Sequence, residues 1–165
     1  MRRALLIALY LIAQLVFMTT GAWAVGYQIR NIDSMVPYGA IPQDINNSGQ
    51  IAGLRAYVNS SGVNEPFLSQ EGMPTQDMGT LGGNSAAYYL NNNGQAVGMS
   101  YTLGWSRGNQ RAFFWQAGSP MRDLGTLGGF DSIAYGINSL GQVVGVSWTA
   151  SRSDGNTTNR AFLWQ

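Results

Sequence analysis

The apolar residues of this chain fall in short runs that are separated by polar turn residues. One run, Gln142–Trp148, is rich in β-branched residues, and another, Ala112–Trp115, is rich in aromatics. Beyond the N-terminal segment, no window of ten or more residues combines helical periodicity with freedom from glycine. The aromatics of Ala112–Trp115 are too crowded for a clean alternation, so both faces of that strand are expected to be covered. The pattern predicts an all-β domain.

The runs belong to a repeat of about 46 residues. Three motifs return in the same order: Asp-x-Gly-Thr-Leu-Gly-Gly at Asp77–Gly83 and Asp123–Gly129, Asn-x-x-Gly-Gln at Asn91–Gln95 and Asn138–Gln142, and Arg-Ala-Phe-x-Trp at Arg111–Trp115 and Arg160–Trp164. A diverged first copy holds Asn46–Gln50 and Glu65–Ser69. Such self-similarity indicates one small unit used three times, so recurring residues are interpreted first as architecture. The structural repeat residues are Asp77, Gly79, Gly82, Gly83, Asn91, Gly94, Trp115, Asp123, Gly125, Gly128, Gly129, Asn138, Gly141 and Trp164.

Each unit is predicted to contain three to four short antiparallel strands. Asn and Gly tolerate positive φ, so Asn-x-x-Gly between apolar runs predicts a hairpin turn. Approximate unit bounds are 27–71, 72–118 and 119–165, and the arrangement is β-propeller-like. Residues 27–33 are placed to complete the last unit, but propellers typically have four to eight blades. Three architectures therefore stay open: an open stack, an oligomer that completes the ring, and a fragment of a longer protein. We favour the last two over a free-standing three-bladed ring.

The N-terminus predicts export. Arg2 and Arg3 precede an apolar run, Ala4–Met18, and Ala22 and Ala24 fit a signal-peptidase site, so residues 1–24 are interpreted as a signal peptide. The alternative is an uncleaved anchor, but the run is shorter than the roughly 20 residues that span a bilayer. We expect a secreted or extracellular protein, with the periplasm or cell surface also open, and no stable membrane span after cleavage.

Composition narrows the function. The chain has nine Lys plus Arg, eight Asp plus Glu, no His and no Cys. This nearly neutral balance gives no basic patch for nucleic acid. Without His or Cys, the usual general base, thiolate nucleophile and zinc ligands are missing. No cofactor or metal site is therefore predicted, although calcium bound by Asp123, Asp131 and nearby carbonyls stays open.

The repeated motifs resemble the HAF repeat family of bacterial secreted proteins. The match covers about residues 40–165 and is carried by Asp123–Gly129, by Ala134 with Ile137–Ser147, and by Arg160–Trp164. The chain departs from the family's His-Ala-Phe triplet, with arginine in place of the histidine in two copies and Glu65-Pro66-Phe67 in the first. The resemblance implies an extracellular location and a β-rich repeat fold, and it supplies no catalytic residues.

Asp77 and Asp123 repeat with the unit, so we expect them to cap turns rather than to form a catalytic carboxylate pair. The best binding signal is aromatic. Tyr57, Tyr101, Trp105 and Trp148 lie in or beside the variable loops, where rings flanked by Asn, Gln and Ser suit sugars. We favour instead that they pack over sheet edges, and we expect Trp115 and Trp164 to be core.

Together these features predict a secreted, non-catalytic binding or structural module. Its partner is expected to be a glycan or another surface protein, and a homo-oligomer is also considered. A carbohydrate-binding module is the first alternative, and a glycan hydrolase that uses two carboxylates is the second.

Overall fold

The computed structural model describes residues 27–37, 39–56, 62–103, 109–149 and 158–165. The predicted signal peptide and the predicted binding residues Tyr57 and Trp105 lie outside these ranges. Within them, Ile32–Gln165 form one compact unit, and Tyr27–Asn31, from a separate unit, contain no strand. No helix in the described part of the chain is long and apolar enough to cross a membrane.

The described residues contain strands and no helix, which confirms the all-β prediction. The strands are β1 Ala40–Ile45, β2 Ile51–Arg55, β3 Glu65–Ser69, β4 Gln76–Asp77, β5 Ser85–Leu90, β6 Ala96–Tyr101, β7 Gln110–Trp115, β8 Arg122–Asp123, β9 Gly128–Ile137, β10 Val143–Thr149 and β11 Asn159–Trp164.

The strands form three antiparallel sheets. Sheet 1 has the order β1-β2-β3-β4, sheet 2 the order β5-β6-β7-β8, and sheet 3 the order β9-β10-β11. The prediction of three to four strands per unit is thus confirmed. Among the described strands no closed barrel or propeller is detected. Residues 27–33 form no strand, so among the described residues sheet 3 has no fourth strand.

The sheet boundaries differ from the unit boundaries drawn on the sequence. Gln76–Asp77 pairs with Leu68 and Phe67 and is the last strand of sheet 1, although its motif was assigned to the second unit. Arg122–Asp123 likewise closes sheet 2, by pairing with β7. The glycine-rich segment after each aspartate is therefore the link between sheets.

Each Asn-x-x-Gly-Gln motif forms a hairpin turn, as predicted. In the second copy, the backbone amide of Asn91 donates a hydrogen bond to the carbonyl of Gln95. Asn91 Oδ1 accepts hydrogen bonds from the backbone amides of Asn93 and Gln95, both at 3.0 Å. The glycines of the three turns, Gly49, Gly94 and Gly141, have φ of 72°, 73° and 79°, which a side chain would disfavour.

The three sheets stack in sequence order. β5 lies against β1, β2 and β3, and β9 lies against β5, β6 and β7. In the central strand β6, Ala96 faces the core shared with sheet 1 and Val97 faces the core shared with sheet 3, as strand alternation requires. Both are fully buried. Ala112 and Phe113 face opposite cores and are both fully buried, which confirms that both faces of β7 are covered.

Candidate functional site

The first strand of every sheet carries a β-bulge at the same repeat position. In β1 the pairing with β2 skips Gln43, in β5 the pairing with β6 skips Tyr88, and in β9 the pairing with β10 skips Tyr135. Each of these residues lies three positions before the turn asparagine of its unit. Bulges redirect a side chain out of the normal alternation and are common beside functional sites. The same bulge therefore occurs once in each of the three sheets.

A glycine in the neighbouring strand makes room for each bulge. A Cβ on Gly53, Gly98 or Gly145 would lie 2.2, 2.0 or 2.2 Å from the carbonyl oxygen of Ile41, Ala86 or Ile133. No carbon can approach backbone oxygen so closely. The glycine four residues after each turn glycine is therefore required by the bulge, a role that the sequence analysis did not assign.

The bulged residues meet in one groove, which we call the bulge groove. It has a volume of about 290 Å³ and is lined by Gln43, Tyr88, Tyr89, Ile133 and Tyr135. Tyr135 is 49% exposed and Tyr89 is 41% exposed, whereas Tyr88 is half-buried. The groove thus offers accessible aromatic rings, phenol hydroxyls and one primary amide.

Burial also changes the pKa of Tyr88. Partial desolvation raises the pKa of the Tyr88 phenol above its ordinary value of 10.0, and the nearby phenols of Tyr135 and Tyr101 raise it further. The phenol is therefore a neutral hydrogen-bonding group at physiological pH. The lining residues of the bulge groove include no carboxylate.

This groove was not among the sites predicted from the sequence. Aromatics outside the repeated positions gave the predicted binding residues, whereas recurring residues were expected to pack. The available signal was the tyrosine three positions before Asn91 and before Asn138, on a strand whose other positions alternate as expected. A bulge cannot be recognised from apolar periodicity alone, because it shifts the alternation by a single residue.

The two predicted binding aromatics that the structure describes, Tyr101 and Trp148, do not line the bulge groove. Trp148 lies on β10, is half-buried and does not line the bulge groove. Tyr101 lies on β6, where its phenol oxygen accepts a hydrogen bond from Gln110 Nε2 at 2.6 Å. Tyr57 and Trp105 lie outside the described residues. The structure therefore does not bring Tyr101 and Trp148 together as lining residues of the groove.

The repeated aspartates have the turn-capping geometry expected of them. Asp77 Oδ1 accepts the amide of Gly79 at 3.1 Å, and Asp123 Oδ1 accepts the amide of Gly125 at 2.7 Å. Each also has a cationic neighbour: Arg55 lies 2.8 Å from Asp77, and Arg111 lies 3.5 Å from Asp123.

The glycines of the same motif are constrained by backbone geometry. Gly82 and Gly128 have φ of 129° and 98°, and a Cβ on Gly82 would lie 2.4 Å from the carbonyl oxygen of Thr102. Gly83 is buried, and a Cβ on Gly129 would lie 2.5 Å from the carbonyl oxygen of Trp148. These contacts account for the glycines without a ligand.

The two recurring tryptophans occupy the same position in β7 and β11 but differ in burial. Trp115 is 4% exposed and belongs to the core between sheets 1 and 2. Trp164 is only partly buried, lies 5.5 Å from Phe114 between ring centroids, and stacks under the guanidinium of Arg122 at 4.9 Å. Trp115 is core, and Trp164 borders the second core.

Two further carboxylates, Asp131 and Asp44, have structural contacts. Asp131 Oδ1 accepts the amide of Gln110 at 2.8 Å, and Asp44 Oδ2 accepts the amide of Leu90 at 2.7 Å. Each of these bonds joins neighbouring sheets. Among the described residues no group of three or more His, Cys, Asp or Glu is arranged to hold a metal ion.

Comparison of the chain with protein-family models, with curated proteins and with solved structures gives no significant match.

Proposed function

We propose that this chain is a secreted, non-catalytic binding module of propeller-like β-repeats, related to the HAF repeat proteins, and that its ligand contacts the bulge groove. The observation that carries the proposal is the convergence of three equivalent bulges on one concave surface. A bulge interrupts ladder hydrogen bonding. In all three sheets the neighbouring strand carries a glycine whose Cβ would collide with the backbone of the bulged strand, so every unit retains the same bulge.

Binding rather than catalysis is supported by the chemistry of the groove. Its lining side chains supply hydrogen bonds and aromatic surface but no pair of carboxylates of the kind that glycoside hydrolysis uses. The carboxylates Asp77 and Asp123 cap turns and lie beside arginines. Export is supported by the N-terminal apolar segment that precedes a small-residue cleavage pattern.

A carbohydrate is the favoured ligand class. Sugar rings present C–H groups to aromatic faces and hydroxyls to amides and phenols, and the groove combines the half-exposed ring of Tyr135 with the Gln43 amide and the Tyr88 phenol. This assignment moves the carbohydrate hypothesis from Trp105 and Trp148 to the first strands of the sheets.

The test is retention on immobilised polysaccharides, followed by calorimetric titration with the oligosaccharides that are retained. Tyr135→Ala should weaken binding by at least about tenfold, the loss expected when one stacked ring and its hydrogen bond are removed. Its melting temperature should stay near that of the wild type, because half of the side chain is already exposed. Phe130→Ala is the matched control, since Phe130 is a 64% exposed aromatic on the same strand outside the groove lining.

Two results would contradict the proposal. Equal losses in Tyr135→Ala and Phe130→Ala would show that the groove is not the binding surface. Turnover of a polysaccharide that disappears on a single Asp→Asn change would replace the binding module with the hydrolase.

A further inference from the structure

The side chains of the bulge groove are distributed over the three sheets in sequence order. Gln43 comes from β1 of sheet 1, Tyr88 and Tyr89 come from β5 of sheet 2, and Ile133 and Tyr135 come from β9 of sheet 3. Because β5 lies against β1 and β9 lies against β5, sheet 2 stands between the amide at one end of the groove and the last tyrosine at the other. The groove therefore runs along the stacking direction, across the strands.

Bonds between neighbouring sheets fix this row. Asp44 Oδ2 accepts the backbone amide of Leu90 at 2.7 Å and so joins β1 to β5. At the end of the same strands, Asn46 Nδ2 donates to the carbonyl of Asn91 at 3.0 Å, and Asn91 Nδ2 donates to the carbonyl of Asn138 at 2.8 Å. We call this series of bonds between turns the asparagine ladder. Since these bonds hold the first strands in place without a ligand, the groove is preorganised for a ligand that contacts all three sheets.

The charges on the first strands disfavour an acidic ligand. Strands β1, β5 and β9 carry two charged residues, Asp44 and Asp131, and no arginine or lysine. An acidic sugar bound in the groove would lose water without gaining the cationic partner that proteins supply to such groups. Asp44, which follows Gln43 in the chain, would also repel it. The expected ligand is therefore uncharged.

The accessible groups suit successive sugars of one chain. Gln43 in sheet 1, Tyr89 in sheet 2 and Tyr135 in sheet 3 are all exposed. One aromatic face covers one sugar ring, so rings on adjacent sheets and an amide on the third offer separate contacts along the row. The groove is also an open surface and not an enclosed pocket of the kind that surrounds the end of a chain.

We propose that the bulge groove binds internal residues of a linear, uncharged polysaccharide, whose chain runs along the stack so that successive sugars contact sheets 1, 2 and 3 in order. This binding mode rests on the proposed function of the groove and adds the shape, charge and direction of the ligand. Tyr89 and Tyr135 hold neighbouring sugars, and the Gln43 amide, as both donor and acceptor, binds the hydroxyls of a sugar further along the chain.

The test is calorimetric titration of the full chain with three series of oligosaccharides, from disaccharide to hexasaccharide: β-1,4-linked glucose, β-1,4-linked mannose and α-1,4-linked glucose. In a series that binds, the affinity should rise at least about tenfold with length and then become constant, because sugars beyond the three sheets add no contact. Borohydride reduction of the terminal sugar should leave the affinity of the hexasaccharide unchanged. Oxidation of its primary hydroxyls to carboxylates should weaken binding at least about tenfold.

A variant at the sheet 1 end separates this mode from binding of a single sugar. Gln43→Ala should weaken binding of the hexasaccharide about tenfold and leave binding of the disaccharide unchanged, because the shorter ligand occupies the tyrosines alone. Gln76→Ala is the matched control, since Gln76 is an exposed glutamine on β4 of the same sheet and does not line the groove. Melting curves check folding, and little change is expected because both glutamines are exposed.

The outcomes distinguish this binding mode from the proposed function itself. Affinity that is independent of length, or that is lost when the terminal sugar is reduced, would overturn the mode and leave a carbohydrate site in the groove if Tyr135→Ala still abolishes binding. Equal binding of the oxidised hexasaccharide would overturn the assignment to uncharged chains. Absence of binding to every saccharide would refute both, and so would binding of unfolded casein in their place.

Discussion

Replacing Asn91 with alanine should destabilise the protein much more than the same change at Asn138. The two residues occupy the same place in their turns, and each side chain makes three bonds within its turn. Asn91 alone of this pair is buried and also donates across the sheet interface to the Asn138 carbonyl. The comparison therefore isolates burial and one bond between sheets from the turn itself.

The magnitude follows from these bonds. A net contribution of about 0.5–1.5 kcal/mol for each hydrogen bond, and a larger penalty for buried groups that lose their partner, give a loss of about 3–4 kcal/mol for Asn91→Ala. The exposed turn bonds of Asn138 can be replaced by water, so Asn138→Ala should cost about 1 kcal/mol. The asparagine ladder thus contributes to the stacking of sheets as well as to the turns.

The assay is urea unfolding monitored by tryptophan fluorescence, at low protein concentration so that association between chains does not contribute. A difference of about 2 kcal/mol in the free energy of unfolding is expected between the two variants, with similar dependence on urea. Equal losses would show that the bond between Asn91 and Asn138 adds nothing to stability, and the reasoning on stacked turns would fail.

Further predictions concern the bulges and the buried phenol. Gly98→Ala should lower the free energy of unfolding by about 2 kcal/mol or more, because the added Cβ would collide with backbone atoms. Gly136→Ala is the comparison, since a Cβ there would meet only a side-chain methyl of Val144 at 3.2 Å. Thermal melts of the two variants measure the difference. Since the folded pKa of Tyr88 is raised, its contribution to stability is present below the unfolded value of 10.0 and is lost as pH rises through the folded value. Unfolding measured from pH 8 to pH 11.5 should therefore show a steeper loss for the wild type than for Tyr88→Phe, and parallel curves would contradict this.

The β-repeat and its hairpins were predictable because they depend on local signals. Asn-x-x-Gly requires positive φ at its glycine, and the short apolar runs between turns match strands rather than helices. The sheet boundaries were harder to predict from the sequence. A two-residue strand such as Gln76–Asp77 is defined by its pairing with β3 and not by a pattern of apolar residues of its own.

The candidate site was missed for a physical reason. Residues Gln43, Tyr88 and Tyr135 leave the alternation of their strands only because a glycine on the neighbouring strand admits the bulge. That relation joins two strands of one sheet, and it becomes a groove only when three sheets stack. Recurrence indicates packing at most positions of this repeat, but at this position the recurring feature is a backbone shape that places different side chains on one surface.

The central claim is that successive sheets stack so that their equivalent bulges converge on one groove, and proton nuclear Overhauser spectroscopy tests it most directly. The account predicts cross-peaks between the ring protons of Tyr135 and side-chain protons of Tyr88 or Tyr89, and between Gln43 and a tyrosine of the groove. It also predicts strand pairing that skips Gln43, Tyr88 and Tyr135. Regular pairing through these three residues, with no contacts between the sheets at this position, would contradict it.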